Sequence, residues 1–215
     1  MKNSRIGSTM FDINNQILQL RTEEAHDELR RLVDLGYTDV ILTYPVLEDG
    51  TYEIDDIIAK FNMYKVSFKD LNLYLGNEVH YHYSIIHRLK NKDVLTLNQS
   101  NYVIIKLPLD KKPELLNSMF KALSDYVIIL SNVDEYKYFN FKDYIELKKQ
   151  GIKFLVKIGN LRRRGIKLLK HEMIDFLVTY DNIKTINSKL KKKINIGYYK
   201  KINIDNYKDI VNFDL

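Results

Sequence analysis

Three of the chain's five histidines fall within eight residues, His80, His82 and His87, just after Glu78. On an extended strand residues i and i+2 share a face. Glu78, His80 and His82 would then form a row with ~6.5 Å between successive Cα atoms. Two imidazoles and a carboxylate in such a row could ligate a transition ion. The blander reading, which we favour, makes His80, Tyr81, His82 and Tyr83 a polar, aromatic rim. His87, beside Arg88, reads as solvated. His171 stands late in a helix, where a cation complements the dipole. His26 reads as a surface residue in the first turns of its helix.

A second cluster is Arg162, Arg163 and Arg164, placed just after a strand and at a helix start. Backbone N–H groups there, joined by guanidinium groups, could bind an anion. Three consecutive arginines cannot converge on one point of a helix, so a solvated basic turn is the favoured reading. The stretch "NSKLKKKINIGYYKKINIDNYK" interleaves lysines with tyrosines, a composition that can bind single-stranded nucleic acid. No RNP, KH or helix-turn-helix pattern accompanies it. Leu190, Ile194 and Ile196 look like packing positions, so this is read as a solvated face. The chain has no cysteine, which excludes disulfides, thiolate metal sites and a cysteine nucleophile. It carries no catalytic triad, P-loop or G-x-G-x-x-G.

The elements that must position these residues follow one repeated unit. An amphipathic helix ends in a short turn and enters a short strand that is apolar almost throughout. Examples are "LRRLVDLGYTDVILTYP", "MFKALSDYVIILSN", "YIELKKQGIKFLVKIGN" and "IKLLKHEMIDFLVTYD". Strands apolar on both faces belong in parallel sheets covered by helices. Thr22 can cap a helix with Glu23 and Glu24 in its first turn, which Gly36 stops. Pro113 suits a first helical position, and Gly151 ends the next helix. Strands are expected near 4–8, 39–44, 72–80, 102–107, 126–131, 153–158 and 175–180. This predicts an α/β fold, a small or distorted TIM-type barrel, with chemistry where strands end. The positions to inspect are 43–45, 77–82, 107–109, 131–136, 159–164 and 179–183.

At 215 residues and 45% hydrophobic, the chain suits one cored domain over 1–215. Residues 184–215 are expected as a helix and tail packed on the barrel. No apolar run reaches ~18 residues, so no membrane span is expected. The start of the chain lacks an apolar signal region, and a cytoplasmic location follows. The net charge of +6 is dominated by lysine, in a chain rich in Asn, Ile and Tyr. It reads as codon bias, and a nucleic-acid partner is not expected.

"LYLGNEVHYHYSIIHRLKNK" resembles the Glu-bearing strand and following helix of the capsule-regulating, manganese-dependent bacterial tyrosine phosphatases. These belong to the PHP (polymerase and histidinol phosphatase) superfamily. The similarity runs through "VIILSNVDEYKYF", "LKKQGIKFLVKIGN" and "MIDFLVTYDN", covering roughly residues 20 to 210. It implies a distorted (β/α)7-like barrel and phosphate-ester hydrolysis on a cluster of metal ions. It also implies a protein partner, such as a tyrosine kinase or a component of polysaccharide synthesis, and a homo-oligomer.

Against that pattern many ligands are missing. The family opens with H-x-H after its first strand, where the first strand region of this chain reads "RIGSTMF". The His expected after the second strand falls in "LTYPV", at Tyr44 and Pro45. The bridging carboxylate is kept as Glu78. The His-x-Glu-Arg-Tyr stretch is replaced by Asn132, Val133, Asp134, Glu135 and Tyr136. The final Ser-Asp-x-His survives only as Asp181, with Tyr180 and Ile183 beside it. Two ligands, Glu78 and Asp181, are too few for a metal cluster, and Glu135 would repel a phosphate dianion. The expectation is a degenerate, catalytically inactive relative acting as a binding or regulatory module, with no catalytic residue and no cofactor. The alternative is an active phosphatase with a reduced site using Mn or another divalent ion, with His80, His82 and Asp134 as added ligands.

Overall fold

The structure, a computed structural model, describes residues 11–34, 36–47, 53–158, 161–178 and 207–211. Seven strands form one parallel sheet in sequence order. They are β1 (Phe11–Asn15), β2 (Asp39–Val46), β3 (Asn72–His80), β4 (Tyr102–Lys106), β5 (Val127–Leu130), β6 (Lys153–Lys157) and β7 (Phe176–Val178). The connecting helices are α1 (Thr22–Asp34), α2 (Ile54–Ser67), α3 (Ile85–Lys90), α4 (Leu116–Ala122), α5 (Phe141–Lys149) and α6 (Arg163–Lys170). β1 and β7 come together at the ends of the sheet, so the strands nearly close into a barrel.

Two-residue alternation explains why strands of continuous apolar sequence fit this barrel. Val103 and Ile105 of β4, Ile128 and Leu130 of β5, and Phe154 and Val156 of β6 face the helices. Ile104, Ile129 and Leu155, one residue out of step, fill the bore with Phe11, Ile13, Ile41, Phe176 and Val178. Both faces are therefore dry, which is the environment parallel strands require. The helical segment 207–211 contributes Tyr207 and Ile210 to this inner cluster. The Tyr207 ring stacks on Phe11 with centroids 4.0 Å apart. Residues 179–206, which hold the whole of the basic "NSKLKKKINIGYYKK" stretch, lie outside the described residues.

α1 begins at Thr22 and ends at Asp34, and Gly36 follows with φ +86°. That is the left-handed conformation expected of a glycine stop. Gly151 behaves alike after α5, with φ +80°. α4 starts at Leu116, later than the proline suggested.

The first strand differs from expectation. Residues 4–8 lie outside the described residues, and the first described strand is the "FDINN" of β1. Its polar residues hid it from a search for apolar runs. Asp12 and Asn15 satisfy one another locally: Asn15 Nδ2 donates to Asp12 Oδ2 (3.3 Å), and the Ile13 N–H donates to Asp12 Oδ1 (3.0 Å). The register with β2 slips between Asp12 and Asn15, and Asn14 has φ +66°. This bulge turns the end of β1 inward at the barrel mouth.

Candidate functional site

The mouth of the barrel, where the strands end, is organised by Glu78, which is 1% exposed. Glu78 stands on β3, paired in register with Pro45 of β2 and Ile104 of β4. Its carboxylate reaches past those neighbours to strands on either side. Asn14 Nδ2 donates to Oε1 (3.1 Å), and Gln16 Nε2 donates to Oε2. From across the bore, the Ser131 hydroxyl also donates to Oε1. Asn14 is oriented in turn by Thr43, whose hydroxyl donates to Asn14 Oδ1 (2.8 Å). One carboxylate thus ties the exits of β1, β2, β3 and β5 together.

Asn77, beside Glu78, faces the other way. Its Nδ2 donates to the Tyr44 carbonyl (3.0 Å), and its Oδ1 accepts from the Leu95 N–H (2.6 Å). These bonds hold the far end of β3 against the segment leading to β4. Gly76 allows the approach, because a Cβ there would lie 2.5 Å from Leu97 Cδ2.

The turn after β5 carries the second half of the mouth. Asn132 has φ +51°, which an asparagine tolerates better than most residues. It is buried, and its Oδ1 has no hydrogen-bond partner among the described residues. Tyr136, fully buried, donates from its hydroxyl to the Ser131 carbonyl (2.6 Å) and accepts from the Leu107 N–H (2.9 Å). Burial pushes that phenol far above its ordinary value. Asp134 turns away from Glu78 towards the start of α6, where its Oδ2 accepts from the Arg162 N–H (2.9 Å). Burial raises the Asp134 carboxyl above the usual aspartate range. Gly165 makes room for it, because a Cβ there would lie 2.9 Å from Asp134 Oδ2.

The arginines anticipated as an anion site are engaged with this turn. Arg162 pairs with Glu135 at 3.4 Å. Arg164 donates to the carbonyls of Tyr136 (2.7 Å) and Asp134 (3.4 Å). Asp134 itself supplies the negative charge at the α6 N-terminus. Arg163 is exposed.

His80, half-buried at the end of β3, is in register with Lys106. Burial, reinforced by Lys106, lowers its pKa and favours the neutral imidazole. His82 has left the strand. Its Nδ1 lies 2.8 Å from the Ser84 hydroxyl, and its ring rests on Tyr83 at 3.7 Å. The row of Glu78, His80 and His82 is therefore broken after His80. His26 is half-buried on α1, edge-on to Tyr64 and Phe68 at 5.5 and 5.2 Å. Asp181 lies outside the described residues.

Asn14 and Gln16 are the residues that sequence reasoning missed. They stand two apart where β1 ends, the place and spacing at which the resemblance calls for H-x-H. A search for amides in an i, i+2 pair would have found them. Their chemistry decides whether Glu78 suits a dication. An imidazole offers a metal a lone pair, whereas these amides present N–H groups to the carboxylate. A cation beside Glu78 would face the positive ends of both amides and a serine hydroxyl. The donor set around Glu78 does not fit a metal cluster. Among the described residues no group of three or more His, Cys, Asp or Glu could hold an ion.

Comparison with known proteins agrees with this architecture. Residues 47–212 match the family described as capsular polysaccharide synthesis, CpsB/CapC. A Staphylococcus aureus protein whose name assigns it as a tyrosine-protein phosphatase, CapC, is 28% identical over 141 residues. That alignment covers 60% of this chain and 55% of the relative, so the chain spans about half the length of the curated protein it matches. Among solved structures, the metal-dependent tyrosine phosphatases YwqE from Bacillus subtilis and CpsB from Streptococcus pneumoniae share the fold. The match has a TM-score of 0.79 at 17% identity and covers 96% of each chain. A Listeria monocytogenes protein assigned as the histidinol phosphatase hisK aligns with a TM-score of 0.50 at 10% identity, covering 80% of this chain and 94% of its own. A parallel barrel of the PHP type, met by a family match over most of its length, makes this chain a member of the CpsB/CapC family of capsular polysaccharide synthesis proteins.

Proposed function

We propose that this chain is a non-hydrolytic member of its family. It acts as a binding or regulatory module tied to capsular or extracellular polysaccharide synthesis. One observation carries the reading: Glu78 accepts from Asn14, Gln16 and Ser131, all neutral donors. Metal-dependent phosphate hydrolysis needs a site that delivers a bound hydroxide and neutralises the ester's charge. Here the retained carboxylate is occupied by amide and hydroxyl donors at three of its roughly four acceptor positions. Glu135 adds negative charge beside the mouth, and Arg162 answers it internally. The partner class suggested by the family is a protein of the polysaccharide pathway, such as a tyrosine kinase. The reading places the chain in the cytoplasm. No helix among the described residues is long and apolar enough to cross a membrane.

The test is metal analysis of tag-free protein, together with turnover of a phosphotyrosyl peptide in added Mn²⁺. We expect less than one ion per chain and no turnover above buffer. About one or more Mn, Fe or Zn per chain, with hydrolysis abolished in a folded Glu78→Gln variant, would establish an active reduced site instead.

A further inference from the structure

We propose that a cleft on the outer face of β2 binds a hexose-type sugar unit. The cleft encloses about 410 Å³ between the 3-10 turn Ile17–Gln19 and α2. It is lined by Leu18, Gln19, Tyr44, Asp56, Ile57 and Lys60. The volume lies within the range of about 300–1,000 Å³ typical of small-molecule sites.

The charges narrow the ligand class. Asp56 and Lys60 are the charged side chains of the lining, and they cancel. A phosphate or a free cation would find one attractive group and one repulsive group there. A neutral ligand carrying many hydroxyls, each able to donate and accept, suits both. Asp56 is exposed and has no partner among the described residues, so its carboxylate is open to a hydroxyl. Lys60 Nζ donates to the carbonyls of Leu18 (2.8 Å) and Leu20 (2.6 Å). Of its three N–H groups one is left over. These bonds also fix the ammonium in place, so it is already ordered when a ligand arrives. The Gln19 amide can both donate and accept.

The apolar part of the lining fits the other half of a sugar. A pyranose ring presents a face of C–H groups between its hydroxyls. Tyr44 lies half-buried against the cluster of Leu18 and Ile57. Its ring and those two side chains form an aromatic and aliphatic floor suited to that face. Tyr44 points outward from β2, while Thr43, one residue earlier, points into the mouth. The cleft is therefore separate from the Glu78 centre, and the proposal stands whether or not the mouth hydrolyses anything. The two are nonetheless linked: Gln19 Nε2 donates to Gln16 Oε1 (2.8 Å), and Gln16 donates to Glu78.

The experiment is titration of the full chain with galactose and N-acetylglucosamine, followed by saturation-transfer NMR and calorimetry. Glycerol serves as a polyol without a ring, and inorganic phosphate as an anion. We expect saturable binding of at least one hexose, with a Kd on the order of millimolar. Asp56→Ala and Tyr44→Leu should each weaken it about tenfold or more. Glu146→Ala, an exposed change on α5, should leave it unaltered. Asp56 is exposed, so its variant keeps the fold even where Tyr44→Leu does not. The proposal fails if neither hexose saturates, if binding survives Asp56→Ala, or if glycerol or phosphate binds as tightly as the sugar.

Discussion

The two ends of the barrel each bury a carboxylate, and they do so differently. At the base, Asp39 accepts from Thr38 Oγ1 (2.6 Å), Asn72 Nδ2 (2.9 Å) and the Tyr74 hydroxyl (3.3 Å). Thr38 and Asn72 are exposed, and Tyr74 is half-buried. At the mouth, Glu78 accepts from Asn14 and Ser131, both 0% exposed, and from half-buried Gln16. The base donors come from β3 and from Thr38, just before β2, beside the acid they serve. The mouth donors come from the end of β1 and the residues just after β1 and β5, strands that do not neighbour β3 in the sheet. The base is a local tie whose donors can return to water. The mouth is a cross-bore brace, and two of its three donors, Asn14 and Ser131, cannot. The difference shows what a buried carboxylate at a barrel mouth can do: Glu78 joins strands that do not neighbour its own.

The comparison breaks most plainly on removal of each acid. Glu78→Leu strands the Asn14 amide and the Ser131 hydroxyl in a dry site, and each unpaired buried group costs about 1–3 kcal/mol. We expect a loss of about 3–5 kcal/mol in urea unfolding. Asp39→Leu leaves donors that can turn to solvent, and should cost about 1–2 kcal/mol. Equal losses would show that the mouth is no more tightly braced than the base.

Tyr136→Phe sharpens the same contrast at smaller scale. It removes the hydroxyl linking the Ser131 carbonyl to the Leu107 N–H, and leaves both backbone groups buried. The expected loss is about 1–3 kcal/mol in the same assay. At the base, Tyr74→Phe should cost less, because Asp39 keeps its other two donors. Retained stability in Tyr136→Phe would mean that the turn after β5 does not depend on that link.

Much of the barrel could be read in the sequence because its strands are apolar on both faces and its helices end at glycines. β2 to β7 lie where the apolar runs predicted, and Glu78 stands at the mouth as the resemblance implied. β1 escaped because "FDINN" satisfies its polar groups through its own side chains and a bulge, which composition does not reveal. Asn14 and Gln16 escaped with it, since amides at an H-x-H spacing read as loop residues until the closure of the bore brings them to Glu78. The arginines left two readings open for a related reason. Their type suggested an anion from outside, but the turn after β5 supplies Asp134 and Glu135 from within. A residue's type limits its partners, and the partner it takes depends on which strand ends the barrel brings together.

The smallest expected effect separates the two ends by pH. At the mouth, burial raises the Asp134 carboxyl, so the folded chain keeps a proton that the unfolded chain has released. Stability from this group is full in acid and falls as pH rises from the ordinary aspartate range through the raised value. Asp134→Asn should flatten that decline, because an amide oxygen can still accept from the Arg162 N–H. At the base, burial and the nearby Asp209 push the Tyr102 phenol up from 10.0 to about 12. The unfolded chain ionises first, and stability falls as pH rises from 10.0 to about 12. Tyr102→Phe should remove part of this alkaline slope, and the raised Tyr144, also at about 12, should leave a remainder. Unfolding midpoints across both ranges test the assignment: each substitution should flatten its own window and leave the other unchanged. If Tyr102→Phe altered the acidic slope, the two ends of the barrel would have to be coupled rather than independent.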